Sequence, residues 1–256
     1  ASDVYKRQNL IYNYPVGAGS TPSQHNLILG GATNKICSIG NLTNACLGFN
    51  NIVGGSKNVI CNYNSSRIVN NNSIVGGCDN SITDSSFSFI GGGLNNNTNC
   101  NYTVIGGGRQ NTISCGTHSF IGGGYKNINA GCYSTIGGGR CNSSSSLAST
   151  VGGGANNVAT GTRSTIAGGL SNVSSGYYSI VGGGRNNVAS GGCSTIGGGC
   201  GNITSNGLST IAGGRNNCTC CFAFIGGGCN NIAVSVYSSI VGGCNNIASG
   251  CGTTIG

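Results

Sequence analysis

Groups able to act as acids, bases or nucleophiles are few and scattered in this sequence. Glu is absent, and the carboxylates are Asp3, Asp79 and Asp84 alone. General acid–base chemistry needs two such groups held around one reacting centre, and Asp79 and Asp84 do not make a pair of that kind. His25 and His118 fall far apart in the register described below, and neither has a His-x-Asp partner. Glycine triplets such as Gly182-Gly183-Gly184 look like phosphate loops only superficially, because no Gly-Lys-Ser/Thr and no helix pattern follows. A calcium-binding nonapeptide roll requires Asp after its glycines, where this chain has Asn, Ser or Arg. These residues point away from an enzyme and imply no cofactor and no metal.

Cysteine is the one reactive side chain in quantity, with 16 copies. They are spread along the chain and do not form the pair of Cys-x-x-Cys units that zinc prefers. Cys229 and Cys244 precede identical Asn-Asn dipeptides, so both take the same place in the repeat. Stacked strands would put their Cα atoms about 4.8 Å apart, inside the disulfide range. Cys100 and Cys115 align in nearly the same way. Disulfides in an oxidising compartment and small thiols filling a core are both open readings. Of nine Asn-x-Ser/Thr sequons, five (Asn96, Asn142, Asn172, Asn202 and Asn217) belong to a recurring Asn position and are expected to be inaccessible. Asn64 and Asn71 are the candidates for glycosylation.

These residues sit on a repeat. Taking the aliphatic residue before each glycine group as an anchor gives Val53, Val75, Ile90, Ile105, Ile121, Ile136, Val151, Ile166, Val181, Ile196, Ile211, Ile225, Val241 and Ile255. Twelve of the thirteen intervals lie between 14 and 16 residues, and a fixed short period with glycine turns is the mark of a solenoid. Helix is excluded, since three glycines per repeat would cost about 3 kcal/mol against alanine. The expected fold is an all-β parallel β-solenoid, a β-roll of about 15 residues per rung.

Each rung reads as two short strands and two turns. In Ser-Thr-Ile-Gly-Gly the Ser and the aliphatic anchor share one face by strand alternation. A second strand follows at positions such as Asn187-Val188 and Asn202-Ile203, and turns are expected at Ser175-Gly176 and Ser190-Gly191, with glycine taking positive φ. Asn80, Asn96, Asn111, Asn127, Asn142, Asn157, Asn172, Asn187, Asn202, Asn217, Asn231 and Asn246 recur once per rung. Ser119, Ser134, Ser149, Ser164, Ser179, Ser194 and Ser209 do the same. The Asn column is expected to bond amide to amide between rungs; a ligand-binding stripe is the alternative. The residue before each anchor points outward, and Ile74, Phe89, Val104, Phe120, Ile180, Phe224 and Ile240 make it apolar enough for a subunit interface.

Charged residues are 5% of the chain, and the net charge of +8 is a thin scatter. A nucleic-acid reader would gather its basic residues on one face, so no nucleic acid is expected. No apolar run reaches 18 residues, hence no membrane-spanning helix is expected in this stretch. Residues 1–8 read as a sequencing-adapter scar outside fold reasoning. Residues 9–52, with Pro15 and Pro22, read as irregular N-terminal rungs; residues 53–256 read as the regular array, cut at its C-terminal end, with a loop of extra residues between Cys61 and Asn72.

Ser194-Thr195-Ile196-Gly197-Gly198 with Asn187-Val188-Ala189-Ser190-Gly191 resembles the head repeat of YadA-like trimeric autotransporter adhesins, over roughly Ser73 to Gly256. Related repeats occur in viral and phage fibres, a likeness the many cysteines favour. The resemblance implies a left-handed roll, three rolls side by side, and an extracellular place on a cell or virion surface. The expected function is that of a structural fibre or adhesin-like filament that associates with itself. Two alternatives stand beside it. One is a glycan- or receptor-binding solenoid, with Tyr133, Tyr177, Tyr178 and Tyr237 available to stack on sugars. The other is ice binding, which needs a regular threonine array; Thr135, Thr150 and Thr165 form a run of three that Ile180 interrupts.

Overall fold

A computed structural model describes residues 9–12, 26–38, 47–63 and 69–256. The expected adapter scar at 1–8, Pro15, Pro22, His25 and Asn64 lie outside the described residues. Every strand pairing within the described residues is parallel and in register, and those residues contain no helix. The chain is therefore an all-β parallel β-solenoid. It divides into two compact units, residues 1–126 and 127–256.

The second unit shows the rung most plainly. One sheet stacks nine strands from Ile128–Asn129 to Ile247–Ala248, and another stacks nine from Thr135–Ile136 to Thr254–Ile255. Each strand is two residues long, one side chain pointing out and one in. In the rung from Ser179 to Cys193, Ile180 points out and Val181 in, then Val188 points out and Ala189 in. Backbone bonds run along the stack: Ile180 N–H donates to Ser194 O at 2.9 Å, Arg185 N–H to Gly199 O at 2.9 Å, and Val188 N–H to Asn202 O at 2.8 Å. The core is thin. Per rung it holds one aliphatic anchor, one small residue such as Ala189 or Ser174, and the Ser and Asn corners, all fully buried. Such a rung cannot bury its own faces, so its neighbours supply the stability.

The first unit follows the same plan with longer early rungs. Its sheets run through Lys35–Ser38, Val59–Asn62 and Ser81–Thr83, and through Leu27–Ile28, Asn51–Ile52 and Ser73–Ile74. Regular pairing thus begins well before residue 53, with Leu10 opposite Lys35 and Ile28 opposite Ile52. Part of the expected loop between Cys61 and Asn72 is strand, because Val69–Asn70 pairs with Leu47–Gly48.

Three anchors are corrected by one residue. Val53, Val75 and Val241 are exposed at 42%, 46% and 60%, while Ile52, Ile74 and Ile240 are fully buried. In these rungs the valine occupies the place of the first glycine of a triplet, so the inward aliphatic is the residue before it. Ile74 and Ile240 therefore belong to the core and leave the proposed outward stripe. The glycine reading also changes at the turns. Gly176 and Gly191 do not adopt positive φ; Tyr178 (54°) and Cys193 (55°), two residues on, do. Gly176 is required for space instead, since a Cβ there would overlap the carbonyl of Gly191 on the next rung.

Candidate functional site

The most regular feature is the Asn corner. Each Asn follows the glycine turn and a left-handed residue such as Asn186 (φ 55°), which swings its side chain into the stack. Asn187 Oδ1 accepts the backbone N–H of Asn202 at 3.0 Å. Its Nδ2 donates to Gly183 O at 2.9 Å and to Gly199 O at 3.1 Å. The same three bonds recur at Asn142, Asn157, Asn172, Asn202, Asn217 and Asn231. In the first unit Asn80, Asn96 and Asn111 donate to glycine carbonyls alike.

The expected amide-to-amide ladder is thus corrected. The oxygen takes a backbone N–H from the next rung, and the nitrogen ties the glycine turn of its own rung to that of the next. Direct amide–amide bonds occur only as extras, as from Asn80 to Asn58 and from Asn96 to Asn80, both at 3.1 Å. A fully buried amide that donates both N–H groups and whose oxygen already accepts one has no donor left for a ligand, and burial keeps its remaining lone pair from solvent. The column is a clamp. The column also extends further back than the sequence reading placed it, because Asn34 and Asn58 are buried in it. Their Gly31-Ala32-Thr33-Asn34 and Gly55-Ser56-Lys57-Asn58 spacing was the available signal. At the other corner, Asn50 and Asn72 stand where later rungs carry Ser, and their oxygens accept the N–H groups of Asn72 and Ser88.

The cysteines follow expectation in part. The disulfide among the described residues joins Cys37 and Cys61, register partners in adjacent strands with Cα atoms 4.7 Å apart. Cys229 and Cys244 do occupy neighbouring places in one ladder, yet both are thiols. Cys100 and Cys115 are not joined either. Cys100 is buried, whereas Cys115 takes φ 66° and is exposed. The interval that contains Cys115 has 16 residues, and the extra residue turns that thiol outward. Arg215 Nη2 donates to Cys229 Sγ at 3.3 Å, which holds the guanidinium above its ordinary pKa. Asn206 Nδ2 lies 2.9 Å from Cys220 Sγ and lowers that thiol's pKa.

Outward rows follow from the in-register pairing. On one face of the second unit Val158, Val173, Val188, Ile203, Cys218, Ile232 and Ile247 stand in line. All are half-buried or exposed, and the sequence reading had not singled out this row. On the other face the line is Thr135, Thr150, Thr165, Ile180, Thr195, Thr210 and Phe224. The threonine row therefore resumes past Ile180 before Phe224 ends it. Phe89, Val104 and Phe120 form the corresponding row in the first unit.

Among the turn aromatics, Phe87, Tyr102 and His118 stack ring on ring at 4.9 and 4.6 Å. The Tyr178 ring is covered by the Arg163 guanidinium at 5.2 Å, with Tyr177 edge-on. Tyr237 leans on Phe222 at 5.4 Å. Tyr102 and Tyr178 thus stack within the protein, while Tyr133, Tyr177 and Tyr237 stay exposed at 60%, 59% and 63%. Basic residues are less scattered than the sequence implied, since Arg140, Arg185 and Arg215 share one ladder of the second unit. They are separated there by Ala155 and Leu170 and by Cys200. Asn71 is exposed, whereas Asn96, Asn142, Asn172, Asn202 and Asn217 are buried within their sequons. No group of His, Cys, Asp or Glu suited to a metal ion occurs among the described residues, and no helix there is long and apolar enough to cross a membrane. Compared with known proteins, the chain matches no family model and no curated sequence.

Proposed function

We propose that this chain is the structural repeat region of an extracellular fibre, built by side-by-side association of copies of itself. The observation that carries the reading is the apolar row from Val158 to Ile247. A continuous apolar stripe of half-buried and exposed side chains marks an interaction face. The row carries one side chain per strand spacing, about 4.8 Å. Only a partner with the same period can fill it along its length, and a second copy of this chain has that period. Three copies side by side would agree with the head-repeat resemblance.

The test is sedimentation or light scattering of the chain against the double variant Val188→Lys, Ile203→Lys. Removing two apolar contacts and setting two ammonium groups against their copies should weaken association at least about a hundredfold, or some 3 kcal/mol. Unchanged assembly of the double variant, or a wild-type monomer at high concentration, would sink the proposal.

A further inference from the structure

We infer that Cys229 and Cys244 form a redox-active dithiol, which closes to an intrachain disulfide when a small-molecule disulfide is supplied. The argument rests on geometry and does not depend on the fibre reading.

Cys229 and Cys244 are bridge partners in a parallel ladder. The backbone is tied on both sides of the pair: Cys229 N–H donates to Gly243 O at 3.0 Å, and Asn245 N–H donates to Cys229 O at 2.9 Å. The two Cα atoms are therefore held one strand spacing apart, about 4.8 Å, within the disulfide range. In-register residues of a parallel ladder direct their side chains to the same side. The molecule already contains a disulfide on this plan, for Cys37 and Cys61 are also in-register partners of parallel strands, with Cα atoms 4.7 Å apart.

The two pairs differ in surroundings. Cys37 and Cys61 are buried, so their bond is out of reach of solutes. Cys229 is half-buried and Cys244 exposed, so an external disulfide can approach. Along this ladder no other cysteine is within range. The ladder neighbour on the other side of Cys229 is Arg215, which donates to its Sγ. Cys200 lies beyond it, two rungs from Cys229, or about 9.6 Å, further than a disulfide spans.

The reaction balances as thiol–disulfide exchange. One of the two thiols, as thiolate, attacks the external disulfide and forms a mixed disulfide, releasing one small thiol. The second protein thiolate then attacks the protein sulfur of that mixed bond and releases the other small thiol. The protein loses two electrons and two protons, the external disulfide gains them, and one Sγ–Sγ bond replaces the external one. A small-molecule dithiol reverses it. The product is a covalent staple between neighbouring rungs, made or undone by the thiol state of the surroundings.

The experiment incubates the folded chain with oxidised glutathione, alkylates what remains reactive, and cleaves after aromatic residues. Tyr237 lies between the two cysteines, so cleavage there separates them unless they are bonded. Expected is one fragment pair per chain, lighter by two hydrogens than its reduced parts and released by dithiol, with fragment ions placing the bond between Cys229 and Cys244 and the alkyl group on Cys251. Cys244→Ser, at an exposed site, should leave glutathione attached at Cys229. Four results would overturn the inference: both thiols still open to alkylation, glutathione retained on each in the wild type, a bond to another cysteine, or a bond between copies.

Discussion

Asn187→Leu probes the clamp at one corner. Leu has the same branched outline as Asn but bulkier methyl ends and none of its hydrogen bonds, so the variant removes three interactions at 2.9–3.1 Å and adds some crowding at a buried corner. The losses are unequal. Gly199 O keeps the N–H of Arg185 at 2.9 Å, and Gly183 is half-exposed, so water can replace the amide there. Asn202 N–H, in contrast, is left buried with no acceptor, which costs about 1–3 kcal/mol. The expected loss is about 2 kcal/mol by urea denaturation, with a matching fall in exchange protection at the Asn202 amide.

Asn187→Asp sharpens the test. Its carboxylate can still accept from Asn202 but faces the carbonyls of Gly183 and Gly199 with a second acceptor. The charged form is disfavoured in the fold, so the folded pKa rises above the unfolded value of about 3.9. The aspartate variant should therefore be less stable than the leucine variant at neutral pH and should recover as pH falls through that raised pKa. An unchanged midpoint and an Asn202 amide as protected as before would refute the clamp.

Two further contrasts need one variant each side. Gly184→Ala should destabilise by several kcal/mol, because Gly184 sits at φ 86° and a Cβ there would overlap Gly199 O; Gly168→Ala meets nothing within 4 Å and should leave thermal unfolding unchanged. Ser179→Ala should cost about 1 kcal/mol in urea, as the hydroxyl bonds Ser174 Oγ and Gly176 O, both at 2.7 Å. Ser164→Ala should be neutral or slightly stabilising, because Ser164 Oγ is buried without a hydrogen-bond partner opposite Ala159.

Period, fold class and the identity of the two polar columns were legible in the sequence. Glycine turns and a repeated Asn are local signals, and a stack of equal rungs maps sequence period directly onto structural period. Ile90, Ile105, Ile121 and the other anchors followed by full glycine triplets face the core as the alternation implies. Which of Ile74 or Val75 faces in was not legible, because both are β-branched aliphatics and a valine can fill the first glycine place. A one-residue shift exchanges the two faces of a strand, so only the pairing across rungs, Ile74 with Ile90, decided it.

The rest was decided by three-dimensional contact. Spacing put Cys100 with Cys115 as readily as Cys229 with Cys244, but one extra residue turned Cys115 away while backbone bonds on both sides hold the second pair together. Cys37 and Cys61, 24 residues apart, lie in longer rungs whose length hid their alignment. The sequence showed that Asn recurs; it did not show whom each amide serves. Hydrogen bonds are set by direction as well as distance, and the left-handed residue before each Asn points its amide at the glycine turns of its own rung and of the next. That orientation, a property of the folded backbone, makes the column a clamp and leaves the outward rows as the surface open to partners.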